Sequence, residues 1–223
     1  MDFYEGKIMA HAGFPNGIGE TAICIAEKIS KDEDTLRTIH QKISTTGGRY
    51  IMTLKLIRAA AEYQEQITQM LDEWHASGEK IVPYSIRRVD YHDFSYYCDH
   101  LEVKESSGNS VPDSTYFCLD TDRNVVVGAV NIRHYLNESL LRNGGHIGDG
   151  VRPSERGKGV ATKMISLALQ ECKRLGMDNV LMVCDKDNIS SAKSIVNNGG
   201  ILENEIIVDG IPQQRYWITL SES

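Results

Sequence analysis

Residues 146–161 read HIGDGVRPSERGKGVA: a short stretch ending at Val151, a turn built on Pro153 and two glycines, and the opening of a helical pattern that runs to Leu175. A strand that passes through such a turn into a helix makes an anion site. The first amides of a helix have no partner inside it, and the peptide dipoles sum to a positive end there. Gly157 and Gly159 let the backbone approach an anion closely, and Ala161 keeps the first turn slim. The amides of Gly157, Lys158, Gly159, Val160 and Ala161 are expected to wrap a pyrophosphate.

Two other phosphate loops compete with this reading. A Walker A loop is excluded because GxxxxGK[ST] does not occur in the chain. The dinucleotide pattern G-x-G-x-x-A is met formally at residues 17–22, GIGETA, but the preceding KIMAHAGFPN is a poor strand, so that stretch reads as an ordinary loop and helix start.

Working outward, the chain alternates strands and helices from Met52 onward. A strand at 54–58 leads to an amphipathic helix over 61–76 with Ile67, Met70, Leu71 and Trp74 on one side and Gly78 as its stop. A second helix is expected near 92–103. Strands at 115–119 and 125–133 form a hairpin around the turn 120–124. After the strand ending at Val151, the pattern predicts a helix over 157–175 closed by Gly176, a strand at 180–184 and a helix over 189–198. Two last strands, 201–208 and 215–220, meet at the turn Asp209-Gly210. One domain therefore covers 52–223. Residues 1–51 are expected to form an extension of short helices, around 21–30 and 32–43, to which the sequence assigns no role.

Composition bounds the class. The chain has 223 residues, 41% of them hydrophobic, enough for a sizeable core. A formal net charge of -7 argues against a nucleic-acid binder, which needs clustered Lys and Arg. The five cysteines (Cys24, Cys98, Cys118, Cys172, Cys184) have no CxxC spacing, so neither a disulfide framework nor a metal site is expected. No stretch of about 18 apolar residues could span a membrane. The expected location is the cytoplasm.

The pattern Val151-x-Pro153-x-x-Arg156-x-x-Gly159-x-Ala161, followed by an amphipathic helix, a strand and a helix led by Asn188, resembles the GNAT superfamily of acyl-CoA N-acyltransferases. VPYSIR (82–87), VPDST (111–115), NIRHYLNESL (131–140), GGHIG (144–148), NGG (198–200) and RYWI (215–218) are similar to a bacterial subgroup of that superfamily whose acceptors are poorly defined. The likeness covers nearly everything after Met52. It implies an α/β (α+β) fold: a mixed, mostly antiparallel sheet splayed between its fourth and fifth strands, with helices on both faces. Acetyl-CoA would lie in the splay as co-substrate, without a metal. Its pantetheine arm would pair with backbone near Gly150 and Val151, and Asn188 would reach it from the following helix, with Ser191 beside it. The acceptor would be the amine of a small molecule, amino acid or protein, and homodimers are common in the superfamily.

Acetyl transfer to an amine needs a deprotonated nucleophile, a stabilised oxyanion and a proton for the thiolate. Many members of the superfamily supply that proton from a Tyr seven positions beyond the Asn, which here is Ile195. Ser191, Ser194 and Tyr216 are the hydroxyls left to consider, and Tyr216 equally suits a core tyrosine. His146 is the first choice of base and His134 the second, each equally readable as a structural histidine. Asp149 shares a strand face with Ile147 and Val151 and would attract a cationic amine at the acceptor end, or else sit solvated at the edge. Arg156 belongs to the loop, while Arg152 and Lys158 would touch phosphates from outside. Glu73 and Glu138 read as exposed acids. A non-catalytic acyl-CoA-binding or regulatory module is the alternative that Ile195 raises.

Overall fold

The computed structural model describes residues 52–220. The formal dinucleotide pattern at 17–22, the helices expected within 1–51 and Cys24 lie outside the described residues.

Among the described residues, seven strands form two sheets. β1 (Leu54–Ile57), β2 (Asp113–Asp120), β3 (Val125–Arg133) and β4 (Ile147–Val151) pair in the order β1-β2-β3-β4, and β5 (Asn179–Asp185), β6 (Ile201–Val208) and β7 (Ile211–Thr219) in the order β5-β7-β6. Every ladder is antiparallel. The sheets join at the start of β4. There the His146 N–H donates to the Leu181 carbonyl at 2.7 Å, and the Leu181 N–H donates to His146 Nδ1 at 2.9 Å. A Cβ on Gly145 would stand 2.4 Å from the Leu181 oxygen, and Gly145 has φ +66, so only glycine lets the strands meet so closely. Beyond this pair no ladder links β4 to β5. The expected splay between fourth and fifth strands is present.

Helices cover both faces. α1 (Gln64–Ala76) buries Ile67, Met70, Leu71 and Trp74, the set its 3.6-residue period selects. Burying each such side chain contributes roughly 1.5–3 kcal/mol. α2 (Phe94–His100) and α3 (Glu138–Arg142) are short and start at Asp93 and Asn137, whose side chains accept the Tyr96 and Leu140 amides. α4 (Val160–Arg174) buries Val160, Met164, Ile165, Ala168 and Cys172, and α5 (Ile189–Val196) follows β5. A Cβ on Gly128 of β3 would touch Met164 of α4, and one on Gly150 of β4 would meet Trp74 of α1. Gly128 pairs with Val151, and neighbours along a strand point to opposite faces, so α4 and α1 pack on opposite sides.

The boundaries differ from the sequence expectation in instructive places. α4 begins at Val160 instead of 157, because Gly157 and Gly159 take left-handed φ of +74 and +80 and a single 3-10 turn, Pro153–Glu155, precedes them. β7 begins at Ile211 instead of 215. Asp209 and Gly210 both have positive φ, so the two-residue turn brings Val208 directly against Ile211. α2 covers less than 92–103; beyond it the Val103 amide donates to the Asp113 carboxylate. The turn Tyr84–Arg87 and α3 were not foreseen. No helix among the described residues is long and apolar enough to cross a membrane.

Candidate active site

The gap between β4 and the start of α5 holds a cavity of about 600 Å³. Val151, Asp149, Arg156, Gly157, Gly159, Val160 and Ala161 line one side, Asn188, Ser191 and Ser194 the other, and Trp74 and Val82 close it. The residues expected to hold a pyrophosphate thus share one space with Asn188 and Ser191, although they lie about thirty positions apart in sequence.

The start of α4 leaves its backbone amides open to the cavity. Gly159 is its N-cap residue, carries no capping side chain, and leaves the first amides without side-chain partners. A Cβ on Gly157 or Gly159 would meet no atom within 4 Å, so the space beside both is open. The loop before the helix is anchored from behind. Arg123, in the β2–β3 turn, donates Nη1 and Nη2 to the two oxygens of Glu155 at 2.9 and 2.8 Å and Nε to Asp120 at 2.7 Å. All three side chains are almost fully buried. Burial alone would raise the Glu155 pKa, but the hydrogen bonds and charge of Arg123, helped by Lys158, hold it below the ordinary value.

β4 offers its free edge to the cavity. The Arg152 amide bonds the Val127 carbonyl and the Arg133 amide bonds the His146 carbonyl. Alternation along an antiparallel ladder therefore turns Gly148 and Gly150 toward β3, and Asp149 and Val151 outward. Gly150 does not face the splay with its amide, contrary to the sequence reading. It matters through its missing side chain, since a Cβ there would stand 2.2 Å from the Val82 oxygen. The Val151 carbonyl accepts from Arg156 Nε at 3.2 Å, and Arg156 also pairs with Glu79 at 2.7 Å.

Asp149 is half-buried in the cavity wall and has no hydrogen-bond or ion-pair partner among the described residues. Burial raises its pKa to about 6. Across the gap, the Ser191 hydroxyl hydrogen-bonds the Cys184 thiol, whose pKa burial raises and this bond partly lowers. Asn188 Oδ1 accepts the Ser191 amide and caps α5.

Several sequence expectations change here. His146 is almost fully buried, and its Nδ1 lone pair is taken by the Leu181 amide. Burial, then the nearby Arg133, lowers its pKa to about 4, so it is neutral with its proton on Nε2 and cannot accept another near pH 7. His134 sits beyond the end of β3 with Nε2 on Ser114 Oγ at 2.9 Å, and it does not line the cavity. Tyr216 is a core residue whose hydroxyl donates to Gln214 Oε1 at 2.6 Å, and burial raises its pKa. Lys158 pairs with Glu155 at 3.2 Å outside the cavity lining. Arg152 turns to Glu73 at 2.5 Å. Glu73 is therefore no free acid, since it also accepts the Ser154 amide. Ile195 is fully buried against Gly200, so no hydroxyl stands where the resemblance places one. Arg123, Glu155 and Asp120 were missed; their only sequence signal is a turn rich in charge.

Among the described residues no group of His, Cys, Asp or Glu could hold a metal. Solved structures share the fold. RimL, a ribosomal L7/L12 alpha-N-protein acetyltransferase in complex with coenzyme A, matches with a TM-score of 0.55 and 15% identity over 77% of this chain and 97% of its own. The microcin C7 self-immunity acetyltransferase MccE, in complex with acetyl-CoA and AMP, matches with a TM-score of 0.52 and 19% identity over 75% and 92%. A variant of the spermidine N-acetyltransferase SpeG from Vibrio cholerae matches with a TM-score of 0.50 and 15% identity over 75% and 95%. No curated protein sequence matches. The family model described as Acetyltransferase (GNAT) family matches residues 68–194. With more than half of its length matched, including the splayed strands and the uncapped α4, the chain belongs to the GNAT family of acetyltransferases.

Proposed function

We propose that residues 52–223 transfer the acetyl group of acetyl-CoA to an amine by direct attack, with no covalent enzyme intermediate. One observation carries this: the uncapped amides of α4, the free edge of β4 and the unpartnered Asp149 carboxylate open into one cavity. Gly157, Gly159, Val160 and Ala161 would hold the pyrophosphate through backbone amides, and the outward amides of Asp149 and Val151 would pair with the pantetheine arm. Arg156 and Asn188 flank that path.

Asp149 is the base in this reading. With a pKa raised to about 6 it is ionised at neutral pH, attracts an ammonium, and is basic enough to take its proton. The amine nitrogen then bonds to the acetyl carbon, the C–S bond breaks, and the electron pair leaves on sulfur. The nitrogen sheds its remaining surplus proton, and a thiol pKa of about 8.5 lets the thiolate depart and take that proton through water, which agrees with Ile195 being apolar.

The test is thiol release from acetyl-CoA across an amine panel, as a function of pH. Turnover should fall as pH drops through about 6, where Asp149 becomes protonated. Asp149→Asn should lower kcat about 10²–10⁴-fold. Acetyl-CoA binding without turnover on any amine would instead indicate a binding module.

A further inference from the structure

Arg156 ties the loop before α4 to the wall that closes the cavity. Its Nε donates to the Val151 carbonyl at 3.2 Å, its Nη1 pairs with Glu79 at 2.7 Å, and its guanidinium lies over the Trp74 ring, 5.8 Å from the centroid. Trp74 belongs to α1 and Glu79 follows it, and both line the cavity together with Arg156 and Val151. The side chain is a strap across one end of the cavity.

That strap occupies a group the ligand needs. Along the free edge of β4 the Val151 backbone turns outward, so an arm pairing there would offer an N–H to the Val151 carbonyl, which Arg156 Nε already holds. Trp74 beneath the guanidinium is wholly buried, and its Nε1–H has no partner among the described residues. A buried donor without an acceptor is unfavourable, so the strapped arrangement leaves this corner incomplete. The ion pair that holds the strap is readily exchanged. Its side chains are 44% and 48% exposed, and pairs so open to water contribute little. Glu79 is carried by a fixed segment, since Val82 lies so close to β4 that a Cβ on Gly150 would stand 2.2 Å from its oxygen. The part free to move is Arg156, and a phosphate at the open amides of α4 offers its guanidinium a bidentate anionic partner. An uncharged ligand offers none.

Resting on the reading above, we infer that Glu79 and Arg156 strap the empty arm site shut and that a phosphate-bearing thioester releases the strap. The pyrophosphate takes the guanidinium from Glu79, and the Val151 carbonyl is freed for a pantetheine N–H. Glu79 and Arg156 are then specificity-determining residues for the acyl donor, with no part in proton transfer. They admit acetyl-CoA and disfavour a thioester that has the same arm without a phosphate.

The experiment measures the affinity of the full chain for CoA and for pantetheine, which has the arm and no phosphate, by NMR titration. Arg156→Met should move the two in opposite directions. CoA should bind about 10- to 100-fold more weakly, the worth of hydrogen bonds to a charged partner, and pantetheine about 2- to 10-fold more tightly, the worth of one freed hydrogen bond. Glu79→Gln loosens the strap and should tighten pantetheine about 2- to 5-fold, a gain that a change of net charge does not give an uncharged ligand. In the Arg156→Met background the same substitution should add nothing. Pantetheine that binds Arg156→Met no better than wild type overturns the inference, because Arg156 is then a plain phosphate contact. Weaker CoA binding by Glu79→Gln overturns it too, because Glu79 then aims Arg156 at the phosphate. Both results leave acetyl transfer standing. Wild-type protein that binds CoA but releases no thiol from acetyl-CoA with any amine overturns the acetyl-transfer reading alone, since the strap is read by binding. Wild-type protein that does not bind CoA overturns both.

Discussion

α4 and α5 both begin at the same cavity, and their N-termini are finished in opposite ways. At α5, Asn188 Oδ1 accepts the Ser191 amide at 3.1 Å, so the helix satisfies part of its own backbone. At α4, Gly159 has no side chain to offer and a left-handed φ of +80, so the first amides remain free. An N-cap is ordinarily worth about 1 kcal/mol, and a capped amide is not available to a ligand. What α4 lacks in self-capping is offset behind the loop by the buried Arg123–Glu155–Asp120 ion pairs. The difference teaches that a self-contained helix start spends its amides on itself, whereas an uncapped one supported from outside keeps them open, as the proposed pyrophosphate site requires.

The sharpest way to break this contrast is to remove the outside support. Arg123→Met leaves Asp120 buried without a cation and Glu155 with Lys158 alone, and stability at pH 7 should fall by about 3–5 kcal/mol in urea unfolding. The Glu155 pKa is depressed in the folded protein. The stabilisation this reflects is present above the ordinary carboxylate value and is lost as pH falls through the depressed one. The gap between wild type and variant should therefore narrow below about pH 4. A gap independent of pH would mean that packing, not charge, anchors the loop.

Next in size is Gly159→Val, which places a branched side chain in the open space at the start of α4 and forces it into the left-handed region. Acetyl-CoA affinity should drop about 100-fold, near 2.7 kcal/mol, by calorimetric titration. Gly176→Val is the control: Gly176 has nearly the same φ, +79, at the far end of α4 and does not line the cavity. It should lose stability without losing affinity. Equal affinity losses in the two variants would show that strain, not occlusion, is being measured.

The parts of this contrast that sequence made legible are the local ones. The apolar spacing of Ile67, Met70, Leu71 and Trp74 fixes the buried face of α1, because a helix repeats every 3.6 residues whatever surrounds it. Gly157 and Gly159 announce a left-handed loop for the same reason. The anchor was invisible because Glu155 and Arg123 are 32 positions apart and each looks like an ordinary surface charge. His146 misled in the same manner: a histidine on the fourth strand reads as a base until its lone pair is found on the amide of Leu181, 35 positions away. Pairing across such separations depends on topology, which periodicity does not encode. β7 starts four residues before the expected 215 because the two-residue turn sets Val208 directly against Ile211.

The smallest expected effect tests the other half of the contrast. Asn188→Ala removes the α5 cap and should cost about 1 kcal/mol of stability. It also removes a side chain from the cavity wall, so a change in acetyl-CoA affinity alone would not separate capping from contact. Asn188→Asp separates them. Aspartate caps as well as asparagine and its charge suits the positive end of the helix, so thermal stability should be kept. The added negative charge faces the same cavity as the loop proposed to hold the pyrophosphate, so acetyl-CoA should bind several-fold more weakly, and less so at high salt. If Asp instead binds as wild type while Ala binds worse, Asn188 serves the site only by holding α5 in place. Affinity that rises in the Ala variant would mean that the freed Ser191 amide had joined the anion site, and the two helix starts would then be interchangeable.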